Sequence, residues 1–599
     1  MFRGRLALLS CIALAPLLLS RTVRSARAAE KPAVRKPSGE PIMPLADVKP
    51  GMEGYGLTVF QGVTPERFKV KVVSVLRNFL PRQSVILMRV EDPRVEHTGV
   101  AAGMSGSPIY IDGKVVGALA YAWAFSKEPL AGVTPIEAML EDGQRPLRPP
   151  AMPSLATDRG AAGARASQPL LGQAQLVPVG VPLAFSGVAP EAIDDVREAF
   201  SDLGLMPVSA GGGGGTGRPE IVPAIVPGGS VGVELVRGDM SVTATGTVTY
   251  VEGNTVLAFG HPMMRAGQVD LPMVGAEIHA IMPNLANAFK LASPLGEVGA
   301  LRQDRGAAIV GQLGEKAPRV PLSVSVTRAG ENPRPFFVDI AKNDALTPLL
   351  VSVVTSSAVS VSEHDPVDMV VDLTTKIELG GGKQVVLRDQ AFSTAGLSPR
   401  LLSATQGFKA FKALLDNPFG RVDLRALSIE ANVTYKRDTL EIVGVQIPRR
   451  PVRAGKPLDL RVLLRPFGGR DTWRTVSIAL PHRIEGRTVD IEVASGATVT
   501  PFVPKPESLA DLIASFGTYY TAGQLVVSVT LPETGAALRG EALGALPPSA
   551  LDTLIPAHET RRAQLHRLFG RTVIESPEIV LGKASVKVRV DDQALGAND

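Results

Sequence analysis

The chain has 599 residues, 45% of them apolar and 20% charged, which is ordinary for globular protein and long enough for about three or four domains. Sixty glycines and 49 prolines beside only 5% aromatics favour many short strands joined by turns. Five of the 63 basic residues and none of the 58 acidic ones lie in residues 1–28, so the rest carries 58 of each sign; nothing in that balance argues for nucleic acid or an anionic membrane surface as a partner.

Residues 1–28 read as a secretory signal peptide. Arg3 and Arg5 form the basic n-region, Leu6 to Ser20 is a short apolar h-region, and Ala26-Arg27-Ala28 is a small-x-small cleavage site. The h-region is too short to span a bilayer comfortably, and every later apolar run is interrupted by Pro, Gly or polar residues. The sequence therefore predicts export across the cytoplasmic membrane to the periplasm, with no stable membrane span after signal cleavage. The only cysteine, Cys11, lies in the h-region. Its setting resembles a lipoprotein signal distantly, but the apolar stretch before it is too short. The mature chain would then lack disulfides, cysteine metal sites and a thiol nucleophile.

After the signal, Lys/Pro/Ser-rich residues 29–42 are expected to form a disordered arm. Residues 43–145 read as a compact β half-domain, with strands over Phe68–Val73 and Val85–Val90 and a helix starting near Thr134, with that threonine as cap and Pro135 in the first turn. Residues 146–223 read as a Pro/Ala/Arg-rich linker and a small α/β insert with a helix around Pro190–Leu203. The five glycines 211–215 suit a flexible loop and not a phosphate loop, because no lysine and no helix start follow. Residues 224–330 read as a second β half-domain, 331–450 as a β-rich domain, and 451–599 as a β-sandwich-like C-terminal domain with alternating strands such as Val489–Val493. Helices are expected near Phe408–Leu415 and Ser508–Ser515.

The segment Gly103-Met104-Ser105-Gly106-Ser107-Pro108 has the composition of a nucleophile turn. Gly103 permits a sharp turn, and the N–H groups of Gly103 and Ser105 can converge on one point as an oxyanion hole. Gly106 allows close approach, and Pro108 leads into a strand. The Asp112-Gly113 pair between apolar runs is a strong hairpin signal. A serine nucleophile also needs a base. His364, His482, His558 and His566 lie in polar or charged stretches of the C-terminal half, and His97 sits in a charged loop. His261 follows the apolar strand Thr255–Phe259, is preceded by Gly260 and is held by Pro262. A bare Gly-His-Pro is a weak signal, since a histidine at a strand end is more often only hydrogen-bonded structure.

These residues carry a resemblance. The serine turn ahead of a hairpin resembles chymotrypsin-like serine peptidases, and its wording with Val116-Gly117-Ala118 is similar to the SpoIVB-type serine peptidase family. The stretch Pro227–Leu235 followed by Leu257–His261 looks like that family's histidine half. The resemblance implies a mainly β fold: a two-barrel chymotrypsin-like peptidase unit followed by β-sandwich domains. The order is reversed, because in the family the histidine half comes first, so circularly permuted halves are expected. The implied activity is an extracytoplasmic serine endopeptidase acting on protein or peptide substrates in the cell envelope, without a cofactor or metal. Ser105 would be nucleophile and His261 general base. The family places an acid about fifteen residues before the serine, which suggests Asp92, with Asp304 as the alternative acid.

Two other readings compete. A catalytically inactive, peptidase-like envelope scaffold fits the reversed order and the weakly determined acid. Met263, Met264, Met273, His279 and Met282 around His261 have the chemistry of a soft-metal site, although methionines at such spacing more often fill core gaps.

Overall fold

The structure is a computed structural model. It describes residues 39–591, apart from 81–82, 124–125, 127, 148–175, 212–221, 285–286, 363–367, 448–451, 483, 500–505, 539–540, 544–546, 548 and 551–562. The signal peptide, most of the arm and linker, and most of the glycine run lie outside the described residues.

The first barrel comprises β1 (Glu53–Thr58), β2 (Glu66–Leu80), β3 (Gln83–Val90), β4 (Pro108–Ile111), β5 (Lys114–Trp123) and β6 (Leu130–Pro135), with helices α1 (Pro93–Thr98) and α2 (Ile136–Gly143). The strands run in the order β4-β1-β2-β3-β6-β5, and β5 pairs back onto β4, closing a six-stranded ring. Phe68, Val70, Val72, Ile86, Met88, Ile109 and Ile111 fill it. Asp112 and Gly113 both have positive φ (50° and 72°), the twist a two-residue hairpin needs. The expected strands and hairpin are thus present. Two local expectations need correction. Residues 39–42 are ordered: Val115 N–H donates to the Pro41 carbonyl, and the Tyr110 hydroxyl donates to Glu40. Thr134 does not cap α2; its hydroxyl donates instead to the Gly260 carbonyl in the second barrel at 2.6 Å.

After β7 (Leu176–Pro178), β8 (Val181–Ser186), α3 (Pro190–Asp202) and β9 (Leu205–Ser209) come β10 (Ser230–Gly238), β11 (Ser241–Glu252), β12 (Thr255–Ala258), β13 (Gly267–Met282), β14 (Phe289–Asp304) and β15 (Ile309–Leu313). The order β10-β13-β14-β15-β12-β11, with β11 pairing back onto β10, closes a second six-stranded antiparallel ring. The fold is therefore mainly β and contains two barrels, the serine on the first and the histidine on the second. The hairpin β13–β14 is much longer than its barrel and carries several bulges. Its tip reaches the first barrel: Ile278 bridges Gly62, and Phe289 bridges Ala102.

The second barrel's sheet continues through β16 (Arg319–Arg328), β17 (Arg334–Ala341), β18 (Met369–Leu379), β19 (Lys383–Ser393) and β20 (Leu424–Thr434). A single apolar core runs from the barrel to helices α4 (Thr347–Val361), α5 (Pro399–Ala404) and α6 (Gln406–Leu415). The hairpin β16–β17 crosses the 330/331 boundary drawn from sequence. Helix α4 went unread because it is apolar nearly all round and lacks an amphipathic stripe; it is buried along most of its length. From Thr439 onward two further sheets share one core, in which Leu460, Val462 and Ile478 face Ile491, Val493 and Val527. This is the sandwich, and it begins inside the stretch read as the preceding domain. Among the described residues no helix is long and apolar enough to cross a membrane.

One buried ion cluster ties the second barrel to its extension. Arg319 on β16 reaches Glu234 on β10 at 2.7 Å and Glu297 on β14 at 3.2 Å, and the Glu234 side chain is only 4% exposed. Burial pushes the Glu234 carboxyl up, and Arg319 pulls it back. Removing one side of such a pair leaves a buried charge uncompensated. Arg319→Met is expected to lower the unfolding free energy by about 3 kcal/mol in chemical denaturation, with much of the loss recovered in Arg319→Met/Glu234→Gln.

Candidate active site

The two barrels meet along a mixed surface. Tyr110, Val115, Ala118, Ile136, Met139 and Leu140 of the first pack against Tyr250, Leu257, Ala308 and Val310 of the second. Polar bonds flank this apolar patch: Asp142 accepts from Ala307 N–H at 2.7 Å, and Thr134 holds the Gly260 carbonyl. Strand β11 has two unlike faces. Val242, Ala244 and Val248 enter the large apolar core. Thr243, Thr245, Thr247 and Thr249 alternate with them and are all buried.

The serine turn sits on that threonine face. Gly103 and Gly106 have φ of 90° and 96°, which side chains with a Cβ rarely adopt. Four successive carbonyls are tied down. Thr247 Oγ1 donates to Gly103 O at 2.9 Å, Ser107 Oγ donates to Met104 O at 2.6 Å, Thr247 N–H donates to Ser105 O at 2.9 Å, and Thr249 Oγ1 donates to Gly106 O at 2.7 Å. Because Met104 O is turned toward Ser107, the Ser105 N–H of the same trans peptide points the opposite way. Gly106 is required twice over: a Cβ there would lie 1.9 Å from Thr247 O and 2.5 Å from Phe259 N.

His261 arrives at the same junction. Phe259 N–H donates to Thr247 O at 3.2 Å, so one strand residue holds both the serine turn and the approach to the histidine. Phe259 and Gly260 both have left-handed φ (70° and 71°). A buried aromatic in that region is strained, and strain of this kind is held only where the surroundings over-determine it. Gly246 makes room for it, since a Cβ there would lie 2.3 Å from the Phe259 ring. The His261 Nδ1 lies 2.8 Å from the Pro262 carbonyl. A carbonyl only accepts, so Nδ1 carries the proton and Nε2 the lone pair, the tautomer of a general base. Burial pushes the His261 pKa down to about 4, against the pull of the Pro262 and Val179 carbonyls. Ser105 Oγ and His261 Nε2 are both buried and have no hydrogen-bond partner among the described residues.

Neither sequence-suggested acid hydrogen-bonds His261. Asp92 caps α1 and is gripped by the Arg94 guanidinium through Nε and Nη2, each at 3.0 Å, which holds its carboxyl below the ordinary range. That corrects the expectation that Asp92 orients the imidazole; its acceptor capacity is spent on Arg94. Asp304 is buried and accepts from the N–H groups of Met263, Met264 and Ala266 at 2.7, 2.7 and 3.1 Å. It therefore fixes the turn that follows His261 and not the ring itself. Burial pushes the Asp304 carboxyl up, partly offset by those N–H donors.

The expected oxyanion donor Gly103 N–H is already engaged, pointing at Gly180 O at 3.3 Å. The segment between β7 and β8 lies against the serine turn here, and Val179 N–H donates to Ala120 O at 2.8 Å. The methionine cluster does not converge. Met263 and Met273 lie in the second barrel's core, Met282 is 40% exposed, and His279 Nε2 lies 2.7 Å from Ser293 Oγ.

Sequence reading missed Thr247, Thr249 and Lys290 and gave Thr134 only a cap's role. The signal available was the run Thr243-Ala244-Thr245-Gly246-Thr247-Val248-Thr249, whose polar face has no reason to sit in a barrel unless something polar covers it. Gly106→Ala is expected to unseat the serine turn from β11; its readout is a lowered melting temperature in thermal unfolding. Both Asp304 oxygens accept from backbone N–H groups, so Asp304→Asn sets an NH2 donor against one of them and is expected to loosen the turn after His261, lowering the melting temperature in thermal unfolding.

Against known proteins, residues 29–140 match the family model described as SpoIVB peptidase S55. That span takes in every strand of the first barrel. A search of curated proteins gave no match. Over the segment that builds the serine barrel, this chain is similar to the SpoIVB peptidases.

Proposed function

We propose that the protein is an extracytoplasmic serine endopeptidase of the SpoIVB type, with its serine and histidine barrels in permuted order. The single observation that carries this reading is the convergence of both barrels on Thr247. That residue anchors the Ser105 turn on one side and the backbone leading to His261 on the other. In the working reaction His261 Nε2 takes the proton of Ser105 Oγ as the oxygen attacks a peptide carbonyl. The carbonyl oxygen gains negative charge and is held by the N–H groups of Gly103 and Ser105. His261 then gives the proton to the leaving amine, the acyl group stays on Ser105, and water releases it by the reverse sequence. The Pro262 carbonyl fixes the tautomer that an acid fixes in a full triad, so Asp304 is a positioning residue.

Substrate entry requires movement. Ser105 is fully buried, and the Gly180 carbonyl sits on Gly103 N–H, so a substrate carbonyl must displace it. The full burial of Ser105, and the absence among the described residues of a carboxylate bonded to His261, favour the second reading, an inactive envelope scaffold on a peptidase fold.

Fluorophosphonate labelling separates the two. The parent is expected to label and Ser105→Ala to remain unlabelled; equal labelling of both, or none of the parent, overturns the peptidase reading. A buried base with a pKa of about 4 is already deprotonated at mildly acid pH. The labelling rate should therefore rise as pH increases through about 4 and not through about 6.5, the ordinary histidine value.

A further inference from the structure

Lys290 is the first inward residue of β14, at the tip of the long hairpin, and it is 1% exposed. Its backbone N–H donates to Ala102 O at 2.9 Å, which seats it directly under the serine turn. A Cβ on Gly103 would lie 3.2 Å from Lys290 Cβ and 3.3 Å from its Cδ, so the aliphatic stem is the floor on which Gly103 rests. The Nζ donates to Thr58 Oγ1 at 2.7 Å and to Thr247 Oγ1 at 3.3 Å. Both are uncharged hydroxyls, one from β1 and one from β11. Among the described residues it forms no ion pair, and burial alone shifts its titration. A buried lysine without a counter-ion is costly, and a core built for stability would place methionine or leucine there.

We propose that Lys290 is a positioning residue of the active site, whose charged amine, through Thr247, locks the Gly103 carbonyl and so holds the serine turn in its reactive conformation. An ammonium has three donors and no acceptor. While Lys290 is charged, the Thr247 oxygen must accept from Nζ, and the hydroxyl hydrogen is left for Gly103 O. A neutral amine has a lone pair and competes for that hydrogen, which frees the Gly103–Met104 peptide to rotate. The state of one buried proton thus sets the rigidity of the turn that presents Ser105. No carboxylate, imidazole or second cation on β1, β11, β14 or the 101–103 turn opposes or reinforces the switch at Nζ.

The inference rests on Ser105 being a nucleophile, and the experiment keeps the two apart. Burial lowers the Lys290 pKa to about 7, so the lock is closed below that pH and opens above it. The parent's fluorophosphonate labelling rate is therefore expected to fall as pH rises through about 7, after the earlier rise assigned to His261. Lys290→Met fills the same space without the charge. It is expected to label roughly 100-fold more slowly at pH 6, in the maximal rate and not in the half-saturating concentration, and to lose the fall near pH 7. Thr247→Val removes the link but not the lysine, and should reproduce both effects. Thr58→Val removes the buried acceptor that does not touch the serine turn; as the control for folding at this position it is expected to keep the parent's maximal rate at pH 6, and a loss as large as that of Thr247→Val would overturn the link through Thr247. If Lys290→Met keeps the parent's rate and alkaline limb while Ser105→Ala still fails to label, Lys290 is merely structural and the peptidase reading stands. If the parent never labels, both fall.

Discussion

The threonine face of β11 is the constraint on which the rest of the site depends. Strand β11 belongs to the second barrel by its pairing, yet its polar face provides the hydrogen bonds that fix the first barrel's serine turn. Each bond is worth only about 1 kcal/mol net, but a buried carbonyl left unpaired costs about 1–3 kcal/mol. Docking the barrels without this register would strand three turn carbonyls, so the polar face selects one arrangement while the Tyr110–Tyr250 patch supplies apolar burial.

The same economy explains the histidine. Its orientation does not come from a distant acid but from local backbone: a left-handed Phe259-Gly260 pair, the Pro262 carbonyl at Nδ1, and the turn capped by Asp304. The strained Phe259 is tolerated because Gly246 leaves space for its ring and Thr247 accepts its N–H. Burial favours the neutral imidazole, and an imidazolium there would have only the backbone carbonyls of Pro262 and Val179 to stabilise it. The connection at Val179–Gly180, between β7 and β8, packs over the same junction.

Chain order does not matter to this arrangement. Ser105 precedes His261, and the elements between them include five strands of the second barrel's sheet, β8 to β12. Two closed barrels that bury one face against each other bring the serine turn and the His261 strand end to one junction whichever comes first in the chain.

Local features were legible in the sequence because they follow from local physics. Asp112-Gly113 alone sets a turn with two positive φ values, alternation alone marks Phe68–Val73 and Val489–Val493 as half-buried strands, and glycines around Ser105 alone announce a sharp, side-chain-free turn. That Ser105 lies on a glycine turn and His261 at a strand end was legible for the same reason. The acid was not, because a carboxylate's role depends on which donor lies beside it: Arg94 claims Asp92, and the 263–266 amides claim Asp304. Nor were the contacts of Thr247 and Lys290, whose partners are 144 and 232 residues away in the chain. Only the tertiary structure decides such pairings, since they form when two barrels dock and one long hairpin reaches across, and no local pattern encodes which surfaces meet.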